Sequence, residues 1–530
     1  MPEFALGTVD LVLVALYAVG IVVLGVWLGR RHEDAEQYFL AGRSMLWPVI
    51  GISLYASNMG STALVGLAGD AYSTGISVFN YEWMAAVVLV FFVIFLAPFY
   101  INSRVYTMPE FLERRYDARS RYYFSGLTLF GNIVIDTAGH LYAGGLVLKV
   151  IFPDLPLSTT IVVLALLAGA YTILGGLSAV MFTDVIQTGL LVFGSAVISV
   201  LAFDRVGSWE AVTAVTNPEM LSLVRPLGDP AVPWLGLVFG VPLLGFYFWC
   251  TNQFMVQRVL SAKDVDHARW GGLLAAALKI PVIFIMVLPG TMARVLYPDL
   301  QNPDMVFPTM MFDMLPTGLR GLVLTGFVAA IMSSIDSTLN SASTLVTMDF
   351  VSKWKPDLDR KQLMRVGRVA TGVFMVLAAV WAPQIQHFGS LFKYLQSVLA
   401  YISPPIVVVF LLGVFWKRTT GRGAFAALMA GLVLAAVLFP LNAVVQPAWM
   451  PDVHFLYVAP ILFVATSAVA VWVSLRGRPP PPEKVEELTW SLDVFARESE
   501  ALEGMPWWKN YRVLSGLVLA GTAVVVAMWW

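Results

Sequence analysis

The residues that could do chemistry are concentrated in residues 330–344, which read AIMSSIDSTLNSAST inside a long apolar segment. Their polar side chains recur at spacings of three and four and so form one face of an α-helix: Ser333, Asp336, Ser337, Asn340, Ser341 and Thr344. A stripe that includes a carboxylate is too costly to face lipid and is typical of a functional cavity or ion path. Because hard cations prefer hydroxyl and carboxylate oxygens, the stripe predicts a cation site.

Charged side chains elsewhere in the apolar segments support this prediction. Four acids fall in predicted spans, namely Glu82, Asp136, Asp184 and Asp336. Only Lys279 and His140 are available there to neutralise them, since Arg258 is assigned to the loop that follows its span. Buried charge without a partner is costly, so the imbalance predicts bound cations or protons. The alternative is that each acid pairs with a base or stays protonated.

The elements that must position these residues are membrane helices. The 530 residues are 58% hydrophobic and only 13% charged, and runs of ~20 apolar residues can cross the ~30 Å hydrocarbon core. The pattern predicts an all-α integral membrane protein with about 14 transmembrane helices. Most of the 33 Lys and Arg residues fall in alternate loops. This bias predicts a multi-pass protein of the plasma or inner membrane, with both termini extracellular or periplasmic.

Several other functional classes are excluded by composition and motifs. The single cysteine leaves no disulfide framework and no thiol-rich metal site. The five histidines are scattered, and neither HExxH nor GxSxG occurs, so we expect no enzyme. A net charge of -1 and the lack of a basic arm argue against nucleic-acid binding. The expected partners are a solute, a cation and the lipid bilayer, and no obligate protein partner is evident.

Two apolar spans are interrupted by polar residues, glycine or proline. The interrupting residues are Ser57, Asn58, Gly60 and Ser61 in the second span, and Gly240, Pro242 and Gly245 in the seventh. Each is the first span of a five-span block, at residues 48–203 and 234–416. Broken helices in equivalent positions of two repeats indicate a midplane site in an inverted-repeat transporter. Glycine and proline also occur as ordinary kinks in membrane helices.

Six segments carry a family resemblance: FLAGRSMLWPVIGISLYASNMGSTALVGLAG, YEWMAAVVL, GGLSAVMFTDVIQ, FWCTNQFMVQRVLSAKD, IMSSIDSTLNSASTLVTMDF and YLQSVLAYISPPIVVVFLLGVFWKR. They resemble the sodium/solute symporter family, and specifically its sodium-glucose cotransporter branch, over about residues 9–416. The resemblance implies a leucine-transporter-type fold, in which two inverted five-helix repeats form a core, preceded by one extra helix and followed by three.

This fold implies a division of the chain into six parts. They are an N-terminal extra helix (1–30), the first repeat (48–203), the second repeat (234–416), two peripheral helices (424–475), a cytoplasmic linker (476–512) and a last transmembrane helix (513–530). In the linker, the sequence ELTWSLDVFARESEALEG could instead form an amphipathic helix on the cytoplasmic surface.

The resemblance also implies where coupling cations bind. Five neutral oxygens form the principal Na+ site: the carbonyls of Ala56, Met59 and Ala330 and the hydroxyls of Ser333 and Ser334. A second cation site, present in some members, would use Asp184, Ser333, Asp336 and Ser337. Relatives usually carry a hydroxyl where Asp336 stands, and an added carboxylate would either tighten a second Na+ or hold a proton. We therefore expect one or two coupling ions, the second being Na+ or H+, unless Asp336 only tunes a water-filled exit path.

The sugar site of relatives corresponds here to Asn58, Glu82, Trp249, Lys279 and Gln396, with Asp136 as a further contact. Such polar groups bond to hydroxyls, and an indole face packs on the C–H face of a pyranose. Leu67, Tyr81 and Phe392 resemble an outer hydrophobic gate, and Phe248 replaces an inner-gate tyrosine. The alternatives are a structural ion pair for Glu82 and Lys279, and ordinary core packing for the aromatic residues.

Several positions depart from the sugar-binding pattern of the family. Ala63 and Gly245 replace polar contacts, Phe248 lacks a hydroxyl, and Asp136 with His140 replaces polar or oppositely charged residues. Asp136 could contact the solute or form a helical pair with His140. The expected function is a Na+-coupled secondary active symporter that imports a monosaccharide of the glucose or galactose type by alternating access. The alternative is a Na+- or H+-coupled symporter of myo-inositol or another small polar solute.

Overall fold

A computed structural model describes residues 7–29, 35–172, 177–388, 390–447 and 453–530. The first half of the chain forms helices α1 (Thr8–Gly29), α2 (Ala35–Leu40), α3 (Trp47–Asn58), α4 (Ser61–Thr74), α5 (Phe79–Phe95), α6 (Ala97–Ser103), α7 (Met108–Arg115), α8 (Ala118–Gly131), α9 (Ala138–Ile151), α10 (Leu157–Thr172), α11 (Leu177–Val206) and α12 (Trp209–Val215).

The second half is equally helical. It forms α13 (Val241–Phe246), α14 (Gln253–Leu260), α15 (Val265–Leu278), α16 (Leu288–Leu296), α17 (Val306–Met314), α18 (Leu319–Leu345), α19 (Ser352–Trp354), α20 (Arg360–Trp381), α21 (Leu391–Phe415), α22 (Gly421–Phe439), α23 (Phe455–Arg476), α24 (Leu492–Ala501) and α25 (Tyr511–Ala527).

Short π-helical turns continue several of these helices. Asn132–Thr137 joins α8 to α9 and carries Asp136, and Tyr247–Thr251 follows α13 and carries Trp249. A π turn accommodates an extra residue in the helix, is rare, and is found frequently at functional sites. Two residues predicted to contact the solute therefore lie on such turns.

The structure confirms several membrane-spanning helices, but it does not confirm the predicted number of spans. In the described residues, 8 helices are long and apolar enough to cross a membrane, and one bent pair would make 9. Other apolar helices are shorter, namely Thr8–Tyr17, Leu157–Leu166, Gly236–Thr251 and Tyr511–Ala527. The count of about 14 spans and the repeat boundaries therefore remain predictions.

One of the two predicted helix breaks is confirmed and the other lies elsewhere. In the second span, α3 ends at Asn58 and α4 begins at Ser61, as predicted. In the seventh span, the residues from Gly236 to Phe246 stay helical, so the predicted break at Gly240, Pro242 and Gly245 is wrong.

The local structure explains the difference in the seventh span. Pro242 directly follows the π turn Gly236–Gly240, and such local changes in helical hydrogen bonding let a membrane helix accommodate proline. Gly240 is needed because a Cβ there would collide with the backbone of Leu456. The chain leaves the helix at Asn252, which has φ -65° and ψ 127°. The Asn252 side chain accepts the N–H of Phe254 at 3.3 Å, which caps α14.

The apolar core is divided into two clusters of buried side chains. One is built largely from α5, α14, α15, α21 and α22, and the other from α4, α9, α16, α17 and α18. Tyr81 and Leu395 pack against both clusters. Both residues also line the cavity described below, so the candidate site lies where the two clusters meet.

The segment predicted as a cytoplasmic linker, residues 476–512, is packed against the helices. It contains α24, which corresponds to the amphipathic-helix alternative. The Trp490 N–H donates to the Val414 carbonyl at 2.8 Å, and Glu498 pairs with Arg269 at 2.5 Å. The segment therefore ties the end of α21 and the start of α15 to the last helix.

Candidate functional site

The break between α3 and α4 lies against α18. Because α3 ends at Asn58, its last carbonyls, including that of Ala56, have no partner from a following helical turn. Gly60 packs so closely on α18 that an added Cβ would collide with the Ser334 hydroxyl. The five predicted Na+ ligands are each at most 8% exposed: Ala56, Met59, Ala330, Ser333 and Ser334. The fold thus places the break next to the part of the polar stripe that carries these hydroxyls.

The residues predicted for a second cation site surround a guanidinium group. Arg258 is 1% exposed, and its Nη2 lies 3.3 Å from Asp184 Oδ2 and 2.5 Å from Ser337 Oγ. Its Nε donates to Ser53 Oγ at 2.8 Å. The hydroxyls of Ser53 and Ser333 also donate to the Asp184 carboxylate.

The assignment of Arg258 to a loop is therefore wrong. Arg258 is a third buried base, in addition to Lys279 and His140, that can neutralise the buried acids. The helix α14 begins only at Gln253, so Arg258 lies one turn beyond the break and inside the protein. Glu82 pairs with Lys279 and Asp184 with Arg258, which reduces the predicted charge imbalance. Asp336 is buried as well, at 3% exposure.

A cavity lies beside the break. Polar and aromatic side chains from several helices and from two π turns line it, including Ser57, Asn58, Thr62, Tyr81, Glu82, Asp136, His140, Phe248, Trp249, Phe392 and Gln396. All the predicted solute contacts except Lys279 are among the lining residues. Ala63 and Gly245 also line the cavity, so the two positions at which the family pattern loses a polar group do face this space.

Lys279 lies behind the wall of the cavity. It is fully buried, at the bend where Val265–Leu278 and Ile283–Leu296 meet at 42°. Its Nζ lies 2.7 Å from Glu82 Oε2 and also donates to Asn58 Oδ1. The ammonium is 5.0 Å from the centre of the Trp249 ring, within range of a cation–π interaction. Lys279 therefore forms the predicted ion pair and positions Asn58, Glu82 and Trp249.

Asp136 lines the cavity from its π turn. Within the part of the chain that the structure describes, no side chain or backbone group donates a hydrogen bond to its carboxylate. His140, one turn later, instead places Nδ1 3.2 Å from Ser61 Oγ. The helical pair of Asp136 with His140 is thus not formed, and the carboxylate oxygens face a space that a solute could occupy.

Aromatic side chains bound the cavity on two sides. The rings of Tyr81 and Phe392 are 5.0 Å apart at 75°. Both residues also line a separate pocket, the outer pocket, on the side that the sequence predicts to be extracellular or periplasmic. Phe248 contacts Trp249 with ring centres 5.2 Å apart. Leu67, the third predicted member of the outer gate, is fully buried in the core and does not line the cavity.

The first N–H of α21, the helix that carries Phe392, is bound by a buried carboxylate that lies outside the membrane spans. Asp304 accepts the N–H of Leu391 at 3.1 Å. Burial raises the pKa of Asp304 to about 6, although the hydrogen bonds from Leu391 and Tyr142 oppose this shift. Because the folded-state pKa is raised, protonation favours the folded state, and the free energy of unfolding should fall as the pH rises from about 4 to about 6.

We expect Asp304→Asn to flatten this part of the stability profile. The melting temperature of the detergent-solubilised protein, measured between pH 4.5 and 7.5, is the test. A variant whose melting temperature changes with pH as steeply as that of the wild type would contradict the assignment.

Comparisons with known proteins agree with this geometry. The sequence model described as the sodium:solute symporter family matches residues 38–431. The chain is 37% identical to the sodium/glucose cotransporter 4 of Danio rerio, over 96% of this chain and 84% of the relative. It is 36% identical to the sodium/myo-inositol cotransporter 2 of Homo sapiens, over 92% of this chain and 80% of the relative.

A solved structure shares the fold. A Na+-coupled sialic acid symporter, in a substrate-bound outward-open state, superposes with a TM-score of 0.76 at 22% identity, covering 89% of this chain and 99% of the other. A nucleobase-cation-symport-1 family transporter superposes with a TM-score of 0.56 at 13% identity, covering 86% of this chain and 98% of the other. The helical fold is therefore that of a secondary transporter, and the chain belongs to the sodium:solute symporter family.

Proposed function

We propose that this protein is a Na+-coupled secondary active symporter that imports a monosaccharide of the glucose or galactose type. The observation that carries the proposal is the break between α3 and α4. Ala56 and Met59 belong to the proposed Na+ site, while Ser57 and Asn58, which lie between them, line the cavity. Because the two sites share one short piece of backbone, occupation of one must alter the other.

The proposed principal Na+ site consists of the carbonyls of Ala56, Met59 and Ala330 with the hydroxyls of Ser333 and Ser334. Five neutral oxygens suit an ion that is held weakly enough to be released. Na+ bound there would fix the break against α18 and so favour the state that binds the solute. Coupling needs only a reciprocal free energy of ~1–3 kcal/mol between the two ligands. With the interior negative, each Na+ gains about 2.3 kcal/mol per 100 mV on entry.

The proposed solute contacts are the lining residues Asn58, Glu82, Asp136, Trp249 and Gln396. Carboxylate and amide oxygens accept from ring hydroxyls, amide N–H groups donate to them, and the indole packs against C–H groups. Lys279 orients Glu82 and Asn58, because its ammonium donates hydrogen bonds to both side chains. It acts through these neighbours, since it does not line the cavity.

Alternating access is proposed to proceed between two gates. Tyr81 and Phe392 separate the cavity from the outer pocket by a single pair of rings. Toward the opposite side, Phe248 and then the buried Arg258 close the path. We propose that this thicker side is cytoplasmic and that both termini are extracellular or periplasmic, as the distribution of basic residues predicts.

A second candidate is a symporter of myo-inositol or another small polar solute. Ala63 and Gly245 give one part of the cavity fewer hydrogen-bonding groups, and one relative at 36% identity is a sodium/myo-inositol cotransporter. Both candidate solutes are rings that carry several hydroxyls, so the same lining groups serve either.

Uptake into proteoliposomes tests the proposal. Radiolabelled glucose, galactose, myo-inositol and sialic acid are compared with an inward Na+ gradient and with K+ in its place, at clamped membrane potential. Na+-dependent, potential-sensitive uptake of a hexose is the expected result. Uptake of myo-inositol alone would select the second candidate, and the absence of Na+-driven uptake of all four solutes would contradict both.

Replacing Asp136 with asparagine should change solute selectivity. Since none of the described residues bonds to the carboxylate, its oxygens are left for hydroxyls of the solute. A hydrogen bond to a charged group contributes ~1.5–3 kcal/mol, so KM should rise about 10- to 100-fold for the preferred solute. Inhibition by a series of deoxy analogues would identify the hydroxyl concerned, and equal KM values for every solute in both proteins would contradict the contact.

A further inference from the structure

A pocket lined by basic residues lies where three segments of the chain meet. The segments are the turn that precedes α3, the end of α6 and the loop between α14 and α15. Each contributes one basic residue to the lining, namely Arg43, Arg104 and Lys263. Among the described residues that line the pocket, Asp264 is the one acid. The pocket shares no residue with the candidate site, and its surplus of positive charge favours an anion.

Arg43 holds the backbone of this pocket together. Its guanidinium donates to the Arg104 carbonyl at 3.0 Å and to the Leu260 carbonyl at 3.4 Å. The Met45 N–H donates to the Ser261 carbonyl at 3.0 Å, which joins the turn to the end of α14 a second time. The three segments are therefore fixed relative to one another before any ligand binds.

The side chains of Arg104 and Lys263 form no hydrogen bond or ion pair within the described part of the chain. Both residues are exposed. The nearby acid Asp264 is shared with another residue, because its carboxylate accepts the His267 N–H at 2.8 Å and lies 2.8 Å from His267 Nδ1. The positive charges of the pocket are therefore only partly balanced.

Arg104 also stands in an unusual backbone conformation. Its φ is 53°, in the left-handed region that glycine and asparagine occupy more readily than arginine. Strained backbone of this kind is concentrated at functional sites. Other basic residues on the same predicted side are paired with acids: Arg114 with Glu110 at 2.7 Å, and Arg119 with Asp117 at 2.8 Å. Arg104 differs from them in its backbone and in its available charge.

The pocket borders the membrane interface. Leu46 and Trp47, which follow Arg43 closely in the chain, are 49% and 39% exposed. Tryptophan is enriched at the level of lipid headgroups, and the basic loops are predicted to be cytoplasmic. The cytoplasmic leaflet carries anionic lipids, and basic pockets at that surface bind their headgroups. A phospholipid phosphate could therefore reach the pocket while its acyl chains contact Leu46 and Trp47.

We propose that Arg104 and Lys263 bind the phosphate group of an anionic phospholipid in this pocket. Two cationic side chains from different segments can each donate to one phosphate, and charge-assisted hydrogen bonds are stronger than neutral ones. The lipid would add an ionic link between the end of α6 and the loop that leads into α15. Binding does not depend on the proposed symport function, and only its assignment to the cytoplasmic leaflet rests on the proposed orientation.

Melting of the purified protein in detergent tests the proposal. The melting temperature is measured against increasing phosphatidylglycerol, with phosphatidylcholine as a lipid of no net charge and glycerol 3-phosphate as a soluble phosphate ester. Phosphatidylglycerol should raise the melting temperature in a saturable manner, because a ligand of the folded state stabilises it. The other two compounds should have little effect at the same concentrations, since one lacks a net charge and the other lacks acyl chains.

The variant Arg104→Gln/Lys263→Gln removes both charges. Its apparent affinity for phosphatidylglycerol should be about 30-fold weaker than that of the wild type, and each single substitution should weaken it about 5-fold. Both side chains are exposed, so the variants should fold. The matched control is Lys355→Gln/Lys361→Gln, which removes two exposed charges on the same predicted side but outside the pocket. It should keep the wild-type affinity.

A second measurement detects the bound lipid directly. The wild type and both double variants are reconstituted in nanodiscs of mixed phosphatidylglycerol and phosphatidylcholine, released, and analysed by native mass spectrometry. The wild type and the control variant should retain a phosphatidylglycerol molecule that Arg104→Gln/Lys263→Gln has lost.

Three results would overturn the proposal. One is equal stabilisation of the wild type by phosphatidylglycerol and phosphatidylcholine. Another is the same affinity for phosphatidylglycerol in Arg104→Gln/Lys263→Gln and in the control variant, which would assign the effect to general surface charge. The third is a response to glycerol 3-phosphate as strong as that to phosphatidylglycerol, which would make the pocket a site for soluble phosphate esters.

Discussion

Replacing Lys279 with methionine should abolish solute uptake and destabilise the protein. Methionine fills much of the space but leaves the Glu82 carboxylate, 2.7 Å from Nζ in the wild type, as a buried charge without its base. Removing one partner of a buried ion pair costs about 3–5 kcal/mol. The same change releases Asn58 and one face of Trp249, so the geometry of the cavity wall is lost together with the charge.

Two measurements separate these effects. The melting temperature reports the buried charge, and solute uptake at saturating Na+ reports the cavity. In the double variant Lys279→Met/Glu82→Gln, most of the stability should return because neither group is then an unpaired charge. Uptake should remain at least about 100-fold below that of the wild type, since a charged solute contact worth ~3 kcal/mol is still missing. Full uptake by the double variant would show that the ion pair is only structural.

Replacing Gly60 with alanine should weaken Na+ activation of uptake. The new Cβ would collide with the Ser334 hydroxyl and would lie 3.2 Å from His140 Cε1. Over-packing of this kind costs ~1–3 kcal/mol, and here it would force the break away from α18. The apparent affinity for Na+ should fall about 10-fold or more, which corresponds to ~1.4 kcal/mol, and the melting temperature should fall as well.

A double variant shows whether the collision or the lost ligand is responsible. Ser334→Ala removes the hydroxyl that Gly60 faces, so Gly60→Ala/Ser334→Ala should regain the melting temperature that Gly60→Ala loses. It should not recover Na+ affinity, because one of the five proposed oxygens is gone. The two substitutions must therefore be non-additive in stability.

Gly126→Ala supplies the matched control, since it is a helical glycine with open space around the added Cβ. Alanine there should leave Na+ affinity unchanged and stabilise the helix slightly. Normal Na+ affinity in both Gly60→Ala and Ser334→Ala would contradict the proposed site.

Helical periodicity was sufficient to predict much of this protein from its residues. The stripe on α18 was correctly identified as buried, because a carboxylate among hydroxyls at helical spacing cannot face lipid. The break at Asn58 to Ser61 was also correct, because polar residues and a glycine interrupt the apolar run there. The same reasoning failed for the seventh span. Gly240 allows close packing on Leu456 there, Pro242 follows a π turn inside a continuous helix, and Asn252 ends that helix.

The partners of the buried charges could be decided only by the tertiary structure. Periodicity reports which face of a helix is polar, but it does not report which helix lies opposite. Glu82 and Lys279 are 197 residues apart, and Asp184 and Arg258 are 74 apart. Hence the sequence by itself determined a membrane transporter with a buried polar stripe on α18. Helix packing decided that Lys279 lies behind the cavity and that Arg258, one turn past the break, pairs with Asp184.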